Sequence, residues 1–160
     1  MDALNLFAIG VPGKPGDERP DGFRRSHLQL GPLLRASYLG ATLYDLPPGQ
    51  RVGPYHYEYN NEEWLVVLTG TPTLRTPTGE HELRPGDVVA FPEGPEGAHG
   101  ISNAGVEVAR VLMFSTKRDP AVAVYPDSDK IAIWRLRGGE GDEIIVNRSS
   151  AGDYWEGEAP

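Results

Sequence analysis

Imidazole and carboxylate side chains recur between residues 49 and 103 at intervals that suit strands. His56-x-Glu58-x4-Glu63-x6-Gly70 is followed by Gly86-x5-Pro92-x-Gly94-x4-His99-x3-Asn103. His56 and Glu58 stand two residues apart, so on a strand both leave the same face while Tyr55, Tyr57 and Tyr59 take the other. Glu63 follows the Asn60-Asn61 turn at the start of the next strand, which brings its carboxylate close to the first pair. Neutral imidazole nitrogen and carboxylate oxygen suit zinc, manganese, iron or nickel, with positions left open for water or substrate. The chain has no cysteine, so disulfides, thiolate metal sites and cysteine nucleophiles are excluded. The spacing therefore predicts one divalent transition metal held by nitrogen and oxygen donors inside a β-barrel.

Both blocks resemble the paired motifs of the cupin superfamily. His56, Glu63 and His99 fill ligand positions as that family has them, and Glu58 stands where it usually has a second histidine. The first block also has six residues between Gly49 and His56 rather than the family's five, and the turn before His99 is two residues longer. The resemblance implies an all-β fold, a double-stranded β-helix (jelly-roll) barrel, in which His99 returns from a later hairpin to join His56, Glu58 and Glu63 as metal ligands. Three roles stay open for Glu58: a fourth, oxygen ligand, a group that orients a histidine, or the mark of a barrel without metal. In a metal-free barrel, two converging carboxylates repel and raise a pKa, which makes Glu58 or Glu63 the candidate acid or base. The function implied is a divalent-metal protein acting on a small organic molecule, with dioxygenase-like or sugar isomerase/epimerase-like chemistry. A noncatalytic small-ligand-binding or sensor module, its metal structural or absent, is the alternative.

The elements that must position these residues read as short strands. Twenty glycines and 15 prolines punctuate runs of valine, leucine, isoleucine and aromatics. Strands are expected at 24–30, 36–46, 54–59, 63–69, 71–76, 80–84, 87–91, 98–103 and 106–115. Shorter β-like runs follow at 121–125, 131–134 and 144–147. Arg84-Pro85-Gly86-Asp87 fits a type II turn, and Thr76-Pro77-Thr78-Gly79 fits a hairpin tip. The 160 residues form one domain, with residues 1–22 as an amino-terminal arm carrying Pro12, Pro15 and Pro20, 23–116 as the barrel core, and 117–160 as an extension packed on the barrel.

The remaining motifs have plainer readings. His27 and His81 lie among polar neighbours outside the two blocks. Asn103 and the Pro92–Gly97 loop are structural, the glycines permitting a tight approach to the strand of His99. Trp134, Tyr154 and Trp155 are packing anchors, and Asp127-Ser128-Asp129 is a capped turn. In Glu63–Leu68 both alternate faces are largely apolar, so the arm, the extension or a partner subunit must cover the outer one, and a homodimer is expected. A net charge of −8 with no Lys/Arg run argues against nucleic acid. No stretch reaches the about 18 to 20 apolar residues that cross a bilayer, and the amino terminus lacks a signal-peptide pattern, so a cytoplasmic protein is expected.

Overall fold

The computed structural model describes residues 3–13, 18–135 and 143–158; Pro15 and parts of the arm and extension lie outside them. The described strands are β1 (Ser26–Gln29), β2 (Leu39–Leu46), β3 (Tyr57–Glu58), β4 (Glu63–Thr69), β5 (Thr73–Thr76), β6 (Gly79–Glu82), β7 (Val88–Phe91), β8 (Gly100–Ser102), β9 (Ala109–Thr116), β10 (Ala121–Tyr125), β11 (Lys130–Trp134) and β12 (Ile144–Asn147). One sheet runs β1-β2-β9-β4-β7, a second β12-β11-β10-β3 and a third β6-β5-β8. Antiparallel bridges pair His56 with His99 and Arg51 with Ser102. These bridges sew β3 to β8, so the two smaller sheets continue into one wall of a jelly-roll barrel opposite the larger sheet.

The core lies between the walls. Leu46, Leu65, Val67, Phe91, Val111 and Met113 of the large sheet pack against Leu74, Leu83 and Ile101 of the other wall. Alternation along β2 and β9 divides inside from outside: Leu43 and Leu112 face outward into a second cluster, capped by Leu4, Leu6, Ile9 and Val11 of the arm. The arm is thus the cover over the outer face of β4, where Val66 and Leu68 join the same cluster. Arg110 fastens it, donating from Nη1 to the carbonyls of Leu6 (3.1 Å) and Ile9 (3.2 Å) while its Nε and Nη2 each bond Asp45 at 2.7 Å.

Turn chemistry sets the strand ends. Asp87 N donates to Arg84 O at 3.0 Å and Gly86 has φ +94°, as the Pro-Gly turn requires. Thr76 pairs with Gly79 across the two-residue tip Pro77-Thr78. Most expected strands are shorter than the sequence suggests, and two differ in kind. The strand expected at 24–30 stops at Gln29, and Leu30–Leu33 make one helical turn. The 54–59 strand is regular only at Tyr57–Glu58. After β9, the Asn60-Asn61 turn holds the chain: Asn61 Oδ1 accepts from Arg118 N (2.8 Å) and Thr116 Oγ1 (3.0 Å), and Asn60 Oδ1 accepts from Val122 N (3.2 Å). That grip delivers β10 edge to edge onto β3, with Ala123 opposite Glu58 and Val124 opposite Tyr57. No helix among the described residues is long and apolar enough to cross a membrane.

Candidate metal centre

His56 and His99 face each other across the bridge that joins the two smaller sheets, with His56 N donating to His99 O (3.1 Å) and His99 N to His56 O (2.8 Å). Glu63 enters from the first residue of β4 in the opposite wall. Each ring hydrogen-bonds through Nδ1 to the carbonyl two residues before it, His56 to Pro54 O and His99 to Gly97 O, both at 2.9 Å. A carbonyl only accepts, so Nδ1 carries the proton and Nε2 keeps its lone pair. Both Nε2 atoms then converge on Glu63 Oε2, at 3.5 Å from His56 and 3.4 Å from His99.

The loop before His99 depends on glycine. A Cβ on Gly97 would stand 1.8 Å from Pro92 O, and Gly94 has φ +87°. Without side chains at these points the long turn folds back tightly enough to present Gly97 O to the His99 ring. The ring itself is stacked on Phe91, with centroids 3.7 Å apart and planes 10° off parallel. His56 is flanked by Tyr125 of β10, 5.7 Å away between centroids.

Buried charge in this cluster redistributes protons. Burial takes His99 down to about 4, only partly opposed by the Glu63 carboxylate, so its ring is neutral at neutral pH. Burial also works against the charged form of His56, but the neighbouring Glu63 carboxylate raises the pKa on balance. Glu63 shows the reciprocal effect: burial is outweighed by His56 and His99, and the carboxyl lies below the usual range. Burial and the nearby Glu63 charge push Glu58 up to about 7.

Glu63 Oε2 and His99 Nε2 are buried without a hydrogen-bond partner. Two acceptors aimed at each other at 3.4 Å are costly to bury unless something electropositive lies between or beside them. A proton shared with His56 relieves part of this, and a divalent cation relieves all of it. Among the described residues, one group of ligand atoms lies within 4.8 Å of one another: those of His56, Glu63 and His99. The carboxylate of Glu58 lies outside that group. Two imidazoles and one carboxylate on one side of an ion leave further positions open, so the donor set fits zinc, manganese, iron or nickel.

The three donors open into a cavity of about 270 Å³. Sequence reasoning missed most of its polar lining: Arg25, Thr42 and Tyr44, Ser115 and Tyr125. The clue for β2 was the alternation of Thr42 and Tyr44 with the apolar Ala41 and Leu43. Burial raises the Tyr44 phenol, and burial followed by the charges of Glu58 and Glu63 pushes Tyr125 up to about 12, so both hydroxyls are protonated at neutral pH. Asn103 is structural: its Nδ2 donates to Leu46 O (2.8 Å) and Glu107 O (2.7 Å). Asp127 pairs with Arg75 at 2.5 Å, in the turn between β10 and β11. Tyr154 and Trp155 are exposed and stack edge to face on each other, and neither they nor Trp134 line the cavity.

Residues 42–115 match the family model described as a cupin domain. No curated protein matches the chain. Among solved structures it is similar to a provisionally assigned sugar phosphate isomerase of Acidithiobacillus ferrooxidans, with 26% identity and a TM-score of 0.79 over 96% of this chain and 94% of that one. It is similar also to a sugar phosphate isomerase from a cupin superfamily in Silicibacter pomeroyi, with 26% identity and a TM-score of 0.77 over 94% and 95% of the two chains. A polyketide cyclase of Streptomyces resistomycificus, 19% identical with a TM-score of 0.59 over 88% of each chain, shares the fold.

Proposed function

We propose that this chain, a member of the cupin superfamily, holds one divalent transition metal on His56, Glu63 and His99 and isomerises a small sugar-like hydroxycarbonyl compound. The observation that carries this reading is the pair of buried, unpartnered acceptors, Glu63 Oε2 and His99 Nε2, of two residues that line a cavity of about 270 Å³. Two structures similar over nearly the whole chain, both named as sugar phosphate isomerases, support the choice among cupin chemistries. When bound, the ion supplies Lewis acidity toward the carbonyl and hydroxyl oxygens of the substrate. The protein supplies the proton handling. Glu63 is committed to the ion, and Glu58 is the neighbouring carboxyl whose charge changes near neutral pH, which suits it to take up a proton and return it. Glu58 does not line the cavity, whereas Tyr125, two residues along β10 from the Ala123 that pairs with Glu58, does, so in this reading its hydroxyl is the group that would pass the proton between substrate and carboxyl. We place this chemistry in a cytoplasmic homodimer.

The experiment is hydrogen exchange. Manganese-loaded protein is incubated in D2O with aldose–ketose pairs of three to six carbons and their phosphate esters, and the substrate is followed by proton NMR. Deuterium should enter at the carbon next to the carbonyl, and Glu58→Gln should slow its entry by roughly 100-fold, the scale of a general base. If no pair exchanges, the isomerase assignment falls. Two imidazoles and one carboxylate are also the donors of ferrous centres that activate dioxygen. Substrate-dependent oxygen uptake by the iron-loaded protein, without exchange, would select that chemistry instead.

A further inference from the structure

We infer that Phe91 is a positioning residue for the metal centre: its ring sets the plane of the His99 imidazole and, through the strand register, the place of that imidazole relative to Glu63. The inference rests on the proposed function for what His99 and Glu63 hold, and it adds the residue that brings them to each other from opposite walls.

Phe91 belongs to both halves of the centre. On β7 it stands directly opposite Glu63 of β4, at the last rung of that ladder, so ring and carboxylate leave the same face of the large sheet. Its ring is stacked on His99 with centroids 3.7 Å apart and planes 10° from parallel, which is contact over a whole face rather than at an edge. Both residues are buried, with 4% of Phe91 and 1% of His99 exposed. The chain between them closes on itself. Pro92 to Ala98 leave the end of β7 and come back at His99, pinched where a Cβ on Gly97 would stand 1.8 Å from Pro92 O. The loop thus begins beside the plate and ends at the ring that the plate carries.

A rigid backing is needed here. Glu63 Oε2 and His99 Nε2 are both buried acceptors without a hydrogen-bond partner, and at 3.4 Å they repel, so an unsupported ring would turn its Nε2 away in the metal-free protein. The hydrogen bond between His99 Nδ1 and Gly97 O, at 2.9 Å, anchors one ring atom but lets the ring rock about that bond. A flat partner in contact with the ring face removes the rocking. The two together fix the direction of Nε2, and the register fixes Phe91 against Glu63, so the spacing of the two donors follows from Phe91. His56 is held less closely, since its flanking ring, Tyr125, is 5.7 Å away between centroids and 22° from parallel. A methionine in place of Phe91 would fill the core with a flexible apolar chain and offer no flat face.

The test compares the full chain with Phe91→Met and Val67→Ala, titrating each with manganese and with zinc against a chelating dye and recording each metal-free melting temperature. Val67 lies in the same core cluster, further along β4 from Glu63 by about 13 Å, so its truncation loosens that core away from His99. Phe91→Met should weaken ion binding by about 10- to 100-fold, the range for residues that orient a metal ligand, while Val67→Ala should bind as wild type does despite a lower melting temperature. If Phe91→Met does not fold, Phe91→Leu takes its place. Long-range nitrogen-15 NMR spectra of the metal-free proteins give a second readout: His99 should show the Nδ1–H tautomer alone in wild type and a mixture of both in the Phe91 variant. Affinity that simply follows melting temperature in both variants reduces Phe91 to packing and overturns the inference. So does a His99 spectrum unchanged by the Phe91 substitution, or a mixture already present in wild type. If wild type binds neither ion, the metal reading beneath the proposed function is removed, and the His99 spectra alone decide whether Phe91 holds the ring.

Discussion

Two imidazoles can aim Nε2 at one point only when their Nδ1 protons are engaged elsewhere, and here Pro54 O and Gly97 O engage them. Removing either ring leaves a buried carboxylate facing a single nitrogen. His56→Ala, His99→Ala and Glu63→Gln should each lower affinity for divalent ions by at least about 100-fold, read by competition with a chelating dye. Glu58→Gln should keep wild-type affinity, because that carboxyl lies outside the donor group. The same residue gives a pH signature. Its folded pKa, about 7, is raised above an ordinary value of 4.5. Its contribution to stability is therefore fully present below 4.5 and is lost as pH rises toward and through about 7. In metal-free protein, the melting temperature of Glu58→Gln relative to wild type should rise across that window, and a constant difference would show that Glu58 titrates normally. His56 and Glu63 were legible from strand spacing across the Asn60-Asn61 turn, and His99 from the resemblance of the second block to the cupin motif. For Glu58 the sequence left three roles open, and its carboxylate lies outside the group formed by the other three donors. Arg25 and Tyr125 were missed because neither sits within the two blocks.

At the scale of elements, the centre is held where three segments meet: the 51–58 segment, the Pro92–Gly97 loop and β4. Gly97 is the tightest point of that meeting. Gly97→Ala forces a carbon toward Pro92 O and should destabilise the fold by about 2 to 3 kcal/mol, in the range for overpacking, and reduce metal affinity along with it. Chemical denaturation and dye competition on the same sample check both effects; a stable variant with normal affinity would mean that the loop can shift without moving His99. The strands after Thr116 are part of the wall, since β10 pairs with β3 and supplies Tyr125 beside His56. Truncation after Thr116 uncovers Tyr57 and should lower stability by several kcal/mol, at ~1.5 to 3 kcal/mol for each large apolar side chain exposed. An unchanged melting temperature would contradict this. The positions of most strands were readable from turn residues and alternation, as Gly86 and the Thr76–Gly79 tip show. The helical turn at Leu30–Leu33 was not, because four residues containing Gly31 and Pro32 carry no periodic signal. Nor was the shortness of β3, whose outer residues are held by single bridges rather than a ladder.

For the whole molecule, the arm covers much of the outer face of β4 but stops short of Trp64. Leu39 and Trp64 remain about half exposed beside Phe114, around a shallow apolar hollow. The homodimer we propose would cover it, and light scattering after size exclusion should then report twice the chain mass of 17.4 kDa. A monomer at micromolar concentration would contradict it. Which apolar face meets a partner was never legible in the sequence, because an arm and a second subunit satisfy the same alternation equally well. The central claim concerns an ion at the meeting of the two walls, and its direct measurement is the divalent-metal content of the full chain. Elemental analysis follows purification without added metal and again follows incubation with manganese, ferrous iron, nickel or zinc and removal of excess ion. We expect one ion per chain in wild type and in Glu58→Gln, and none in His99→Ala. Wild-type protein that takes up no stoichiometric ion, or His99→Ala that takes up as much as wild type, would contradict the account.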